Sequence, residues 1–199
     1  MTTTVRFHQY GGPEVLIPED EVVGRPQTGQ VRLRHDAIGV NFIDTAFRQG
    51  IFPMPLPGVT GVEGAGVVEE LGPGVDDVQV GDRVAYFLSP GSYAEVRLIN
   101  TVDLVAIPQD VTSLGAATIL TKGLTAWAAL NGFYKLHAGD TVLVQGASSN
   151  VGLLVARWAA GWSAGPRWSA GALVALPHCL HGDPELLSNR VERQVLGIT

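Results

Sequence analysis

Apolar and polar residues change their period along this chain, and the changes divide it into three stretches. Val31, Arg32, Leu33, Arg34 and His35 alternate, which predicts a half-buried strand. Residues 64–71, 82–87 and 93–99 are further strand candidates. Turn punctuation separates them at Pro57-Gly58, Gly72-Pro73-Gly74, Gly81-Asp82 and Pro90-Gly91. Many short strands with closely spaced turns predict a small β-barrel or sandwich. After Pro108 the period lengthens. Thr112 is placed as an N-cap, and apolar side chains across 113–134 recur at helical spacing, read as two helices that meet near residues 121–123. His137, Ala138, Gly139 and Asp140 make a turn. Val142, Leu143 and Val144 then read as a buried parallel strand, and Val151, Leu154, Val155 and Trp158 as the inner face of a helix.

This order, β-rich, then a helical connector, then α/β, predicts two domains. The first spans residues 1–111 and the second starts over 112–160. Residues 161–199 do not continue the pattern. Within them 172–176 is a candidate second strand and 185–196 a candidate short helix, while Trp162 and Trp168 stand among Gly, Ser, Ala and Pro without a period. The tail is either a poor closing element or not a native-like continuation.

Composition narrows the function classes. Of 199 residues, 46% are hydrophobic and 16% charged, which predicts a folded chain. The formal net charge of −6, with no Lys/Arg cluster, argues against nucleic acid and anionic membrane surfaces. The first residues lack the basic and apolar regions of a signal peptide, and no apolar run approaches the roughly 20 residues of a membrane span. Cys179 is the only cysteine, so no disulfide forms within the chain and a reducing cytoplasm is the expected setting.

The most specific local pattern follows the strand at 142–144. Gly146, Ala147, Ser148, Ser149, Asn150, Val151 and Gly152 make a small-residue turn that opens a helix. A helix start carries unpaired N–H groups and partial positive charge, which suits a pyrophosphate. The usual dinucleotide fingerprint is G-x-G-x-x-G; here Gly146 and Gly152 keep its outer positions and Ser148 to Asn150 fill the middle. The plain alternative is an ordinary strand-to-helix turn capped by Ser149 or Asn150.

Four segments together resemble a known family. They are Gly11-Gly12-Pro13-Glu14-Val15-Leu16; Asn41-Phe42-Ile43-Asp44-Thr45; residues 58–68 (GVTGVEGAGVV) with 80–84 (VGDRV); and Lys122-Gly123-Leu124-Thr125 followed by 138–152. In order and spacing they resemble the N-terminal 160 residues of the zinc-independent, medium-chain quinone oxidoreductases, the group that includes zeta-crystallin. The resemblance implies a GroES-like β-barrel catalytic domain followed by a Rossmann domain with a parallel sheet. It also implies hydride transfer from NADPH to a quinone or other α,β-unsaturated carbonyl. It covers about half of a complete enzyme of the family. The remaining Rossmann strands and C-terminal elements are absent, so the chain is expected to be incomplete. The family forms homodimers, but that surface lies largely in the missing part and is not expected to act here.

The resemblance also assigns candidate roles. Asn41 presents its amide to the substrate carbonyl or the cofactor ribose, and Asp44 holds a neighbouring group. The bland alternative is that Asp44 caps a short helix over 45–49. Ala46 and Phe52 stand where relatives commonly carry aromatic hydroxyls, so this pocket loses hydrogen-bond donors; Phe52 is placed over the nicotinamide. Thr125 faces the cofactor, or else bonds its own helix backbone. Lys122 offers a positive charge, although exposed lysine is the commoner case. The turn from Gly146 to Gly152 anchors the pyrophosphate. No zinc is expected: Val62 follows Gly61 where zinc-dependent relatives have histidine, and residues 38–48 contain no cysteine. His178-Cys179-Leu180-His181 lacks a second ligand cluster and reads as a solvated turn. NADH is the less favoured cofactor, because no carboxylate stands near residues 177–179. A second reading stays open: a GroES-like fragment without catalysis, acting as a binding or interaction module through apolar surface near 142–176.

Overall fold

The computed structural model describes residues 1–133, 136–137 and 140–162. The chain divides into two compact units, Met1–Leu120 and a second from Thr121 onward. The expected second strand at 172–176, the helix at 185–196 and the cluster from His178 to His181 lie outside the described residues, as do Ala138 and Gly139 of the expected turn.

The first unit is built from antiparallel strands. β1 (Thr2–Arg6) and β2 (Ile17–Glu21) form a two-stranded ladder. The larger sheet has the order β6-β3-β4-β5-β7, with β3 at Gln30–Gly39, β4 at Glu63–Leu71, β5 at Arg83–Tyr86, β6 at Val96–Asn100 and β7 at Val105–Ala106. The four expected strands are thus present with shifted ends. β1 and β2 were not foreseen, although the threonine run of β1 suits a pleated strand. Backbone bonds from Val5 N–H to Tyr93 O (2.7 Å) and from Glu95 N–H to Thr3 O (2.9 Å) tie the hairpin to the sheet. Val31, Leu33, Val68, Val84, Tyr86 and Ile99 form the core. Alternation places Val31 and Leu33 inside, and burying such side chains contributes about 1.5–3 kcal/mol each.

A short helix, α1 (Phe42–Gln49), interrupts the strands. It starts at Phe42 rather than at residue 45, because Asn41 takes the N-cap position. It ends at Gly50, whose φ of +78° is left-handed and whose N–H reaches back to the Ala46 and Phe47 carbonyls. A side chain there would also strike the Tyr10 ring. Gly11 N–H bonds Arg48 O at 3.1 Å, so the GGPEVL segment seats the end of this helix.

Thr112 caps α2 (Ser113–Trp127): its Oγ1 accepts the Gly115 N–H at 3.0 Å. The expected break at 121–123 does not occur. One helix runs through Lys122-Gly123, because an interior glycine costs only about 1 kcal/mol relative to alanine, and a π-helical turn follows at Ala128–Phe133. Lys122 is buried rather than exposed.

In the second unit Ala126, Ala129, Leu130 and Val155 make a small core, with Val144, Val151, Leu154 and Trp158 packed against it. The helical face expected from sequence is therefore the buried one, carried by α3 (Asn150–Trp162). Residues 142–144 contribute Val144 to that core but are not in a ladder. A parallel strand needs a neighbour to take its backbone bonds, and none of the described residues pairs with it.

Candidate functional site

The two groups of predicted residues fall in different units.

In the first unit, Asn41 sits between two carboxylates. Its backbone N–H donates to Asp44 Oδ2 at 2.8 Å, the reciprocal half of a capping box. Its side-chain Nδ2 donates to Glu63 Oε2 at 2.9 Å. Asp44 is buried and also accepts the Tyr93 hydroxyl at 3.0 Å, while its carbonyl takes the Thr60 hydroxyl at 3.2 Å. Burial, with the Asp44 charge alongside, pushes the Tyr93 phenol well up and keeps it a donor. Asp44 thus joins α1 to the segment before β6. Phe52 is partly exposed, its ring 5.8 Å from Phe47, and its N–H bonds the carbonyl of buried Ala46 at 3.3 Å. The two positions singled out for lost hydroxyls are neighbours at the end of α1.

Sequence reasoning missed Glu63. It is fully buried at the start of β4, directly opposite Gly39 on β3. A Cβ on Gly39 would stand 2.7 Å from the Glu63 carboxyl carbon and 2.6 Å from Ala117 O. Glycine at 39 makes the slot that houses this carboxylate. An acidic residue inside the run Val62-Glu63-Gly64-Ala65-Gly66 was the available signal.

A polar pair, half-buried at His35, lies on the same sheet. His35 Nδ1 meets Ala94 O at 2.6 Å, so that nitrogen carries the proton. Nε2 then accepts from Tyr86 Oη, also at 2.6 Å. Burial pushes His35 down to about 4, against the carbonyl bond from Ala94 that favours its charged form. Arg97 lies 5.0 Å over the Tyr86 ring. A groove of about 510 Å³ runs along this face past Val5, Ile38, Val40 and Tyr93; Asn41, Asp44 and Phe52 do not line it.

In the second unit the turn is built from backbone. Gly146 has φ +67°, left-handed. Its carbonyl accepts the Ser149 N–H at 2.8 Å. Ser149 Oγ accepts the Gly152 N–H at 3.0 Å and is the N-cap of α3. A Cβ on Gly152 would stand 2.7 Å from the Gly146 carbonyl carbon, with the oxygen nearer still. Gly152 therefore lets the helix start close onto its own turn. Residues 145–150 are exposed, including Ala147, Ser148 and Asn150, while Val151 turns toward the core. Backbone curvature, small side chains and an accessible helix start fit a diphosphate. Thr125 lies in the interior of α2, and its hydroxyl donates to Thr121 O at 2.8 Å. Among the described residues no group of three or more His, Cys, Asp or Glu is arranged to hold a metal, and no helix is long and apolar enough to cross a membrane.

Residues 27–109 match the alcohol dehydrogenase GroES-like domain. A quinone oxidoreductase of Pseudomonas aeruginosa is 43% identical over 161 residues, covering 80% of this chain and 50% of that protein. A 2-haloacrylate reductase of a Burkholderia species is 42% identical over 167 residues, again 80% of this chain and 50% of the relative. The crystal structure of Escherichia coli quinone oxidoreductase complexed with NADPH superposes with a TM-score of 0.78 at 35% identity, covering 81% of this chain and 50% of that one. The chain belongs to the medium-chain dehydrogenase/reductase family. It spans about half the length of the curated relatives it matches, the N-terminal half. The antiparallel first unit is the family's GroES-like domain, and the resemblance drawn from the four sequence segments holds.

Proposed function

We propose that this chain supplies the barrel and the diphosphate-cradling turn of an NADPH-dependent reductase acting on a quinone or other α,β-unsaturated carbonyl. The observation that carries the reading is the turn from Gly146 to Gly152. Its left-handed glycine, its Ser149 cap and the backbone-on-backbone approach at Gly152 form a cradle that a single methyl group would fill. The family supports it: quinone oxidoreductase and 2-haloacrylate reductase both name acceptors with a carbonyl or carboxyl conjugated to a double bond.

NADPH, when bound, supplies the hydride. The chain's own residues bind and orient. The exposed N-terminus of α3 offers backbone N–H groups and the positive end of the helix dipole to the diphosphate. Phe52, partly exposed beside Phe47, presents an apolar face suited to a flat ring. Asn41 presents hydrogen-bonding atoms of fixed position to the reacting end, and Asp44 holds it there through the backbone. A donor placed at the acceptor oxygen is worth about 3 kcal/mol in such reactions. The reading includes no zinc, since Val62 is an apolar core side chain at the position where a metal ligand would be needed. NADPH is preferred over NADH on the family's behaviour.

The test is titration of the purified chain with NADPH, following tryptophan fluorescence, with turnover of a simple quinone measured in parallel. A saturable response below the millimolar range and quinone-dependent NADPH oxidation are expected. No saturable response would reject the reading for this chain and favour a GroES-like binding module.

A further inference from the structure

The segment after α1, residues 51–57, is held by few groups. Pro53, Pro55 and Pro57 carry no N–H, so from 53 to 57 only Met54 and Leu56 offer backbone donors. Every residue of 51–57 except Met54 is exposed. Little apolar burial anchors this arm, so hydrogen bonds set its path. One side chain grips Met54. The Tyr10 hydroxyl donates to Met54 O at 2.8 Å and accepts the Met54 N–H at 3.1 Å, spending both of its roles on one residue. The Tyr10 ring is seated on Gly50, where a Cβ would stand 2.9 Å from its Cγ. The backbone around Tyr10 holds the two ends of the same arm. Gly11 N–H bonds Arg48 O at 3.1 Å, and Phe7 and Gly58 exchange both of their N–H···O bonds at 2.9 Å. Phe52 lies inside this frame, with its N–H on Ala46 O and its ring beside Phe47. Ile51, Phe52 and Leu56 expose apolar surface, and no side chain of 51–57 is charged or donates a hydrogen bond.

We infer that Tyr10 is a positioning residue that pins Met54 and so presets the arm 51–57 as an apolar rest for the flat, uncharged ring of a quinone acceptor. An arm already in place loses less freedom when a ring settles on it, so the hydroxyl adds to acceptor affinity without touching the acceptor. This rests on the proposed reading of Phe52 as a ligand-facing residue and supplies the group that fixes its loop.

Amide exchange of the whole chain tests the clamp without a ligand. Tyr10→Phe keeps the ring on Gly50 and removes only the hydroxyl. Exchange at Met54 is expected to quicken about fivefold, the size of one lost hydrogen bond, while Gly11 and Gly58 keep their rates. Equal quickening at all three, or none at Met54, would overturn the inference. So would a Met54 amide that exchanges as fast as a free loop amide in the unsubstituted protein, whether or not the variant folds. The second measurement is binding of naphthoquinone, followed through the Ile51 amide signal, in the unsubstituted chain, Tyr10→Phe, Phe52→Ala and the double variant. Loss of the hydroxyl is expected to weaken binding about fivefold where Phe52 is present and clearly less where it is alanine. Equal weakening in both backgrounds, or no response of Ile51 to naphthoquinone, would overturn the inference. NADPH affinity is expected to be the same with and without the hydroxyl; an equal loss there would mark Tyr10 as a general support of the fold and overturn it too. A chain that binds naphthoquinone at Ile51 but no NADPH would sink the proposed function and leave the role of Tyr10 standing.

Discussion

Asn41 and Ser149 both stand at the start of a helix, and the chain holds them by opposite means. Around Ser149 every bond is local. Gly146 O takes its N–H, its Oγ takes the Gly152 N–H, and its own carbonyl takes the Leu153 N–H at 2.8 Å. Around Asn41 the decisive bonds come from far along the chain. Glu63 arrives from β4 and Tyr93 from the approach to β6, and neither is near α1 in sequence. One site is a self-contained turn. The other exists only when the sheet has formed in its correct register. Damage to the first should therefore stay where it is made, and damage to the second should spread through the barrel.

Asp44→Ala is expected to be the most severe test. It strips the acceptor from the Asn41 N–H and the Tyr93 hydroxyl together. Two half-buried donors left unpaired destabilise by about 2–3 kcal/mol in sum. Urea denaturation should show the loss, and amide exchange should quicken near Tyr93 as well as in α1. A change confined to residues 41–49 would mean that this site, too, is held locally. Acidification should approach the same size by a different route. His35 is held near 4 in the folded chain against an ordinary 6.5. Above 6.5 the imidazole is neutral in both states, and its contribution is fully present. Between 6.5 and about 4 the unfolded chain takes up a proton that the native fold refuses, so stability falls as the pH drops, by about 3 kcal/mol across the window. Tyr86 bonds the ring nitrogen, and the charges of Asp36 and Arg97 act on the imidazole from nearby. The denaturation midpoint against pH should flatten in His35→Gln, and an unchanged profile would remove His35 from the barrel's stability.

This contrast also explains what could be read from sequence. The turn from Gly146 to Gly152 was legible because its partners lie within one helical turn of each other, and spacing alone encodes them. The strands around Leu33 and Val68 were legible by alternation. Glu63 was not, because its burial depends on Gly39 lying opposite across a ladder, and register is not written in either segment by itself. The same holds for Tyr93 and Asp44. The helix through Lys122-Gly123 was misread because a glycine was given the weight of a break. Its flanking residues Leu120 and Leu124 are both buried, and their packing outweighs the local penalty. The strand at 142–144 was read from apolar composition, but a strand is a property of a pair, and none of the described residues pairs with it.

Gly152→Ala probes the local site at its tightest point. The new methyl group would meet the Gly146 carbonyl, backbone against side chain with no flexible end to give way. Overpacking of this kind destabilises by about 2 kcal/mol. NADPH affinity should fall with it, while amide exchange in the sheet, and the Asp44 to Tyr93 bond in particular, stays as before. Exchange changes reaching β3 or β4 would contradict the independence of the two sites.

The smallest effect separates the fold role of the turn from its ligand role. Ser149→Ala removes the cap from the Gly152 N–H and should destabilise α3 by about 1 kcal/mol. Ser149→Asp keeps an oxygen in the capping position and adds negative charge at the positive end of the helix dipole, so helix stability should be retained or slightly raised. The same carboxylate would sit where the diphosphate is proposed to bind, and like charges repel. Helix content by circular dichroism and NADPH affinity by fluorescence should therefore move together in Ser149→Ala and part company in Ser149→Asp. If affinity follows helix stability in both variants, the turn at Ser149 is a cap and nothing more, because a bound diphosphate would have sensed the added charge.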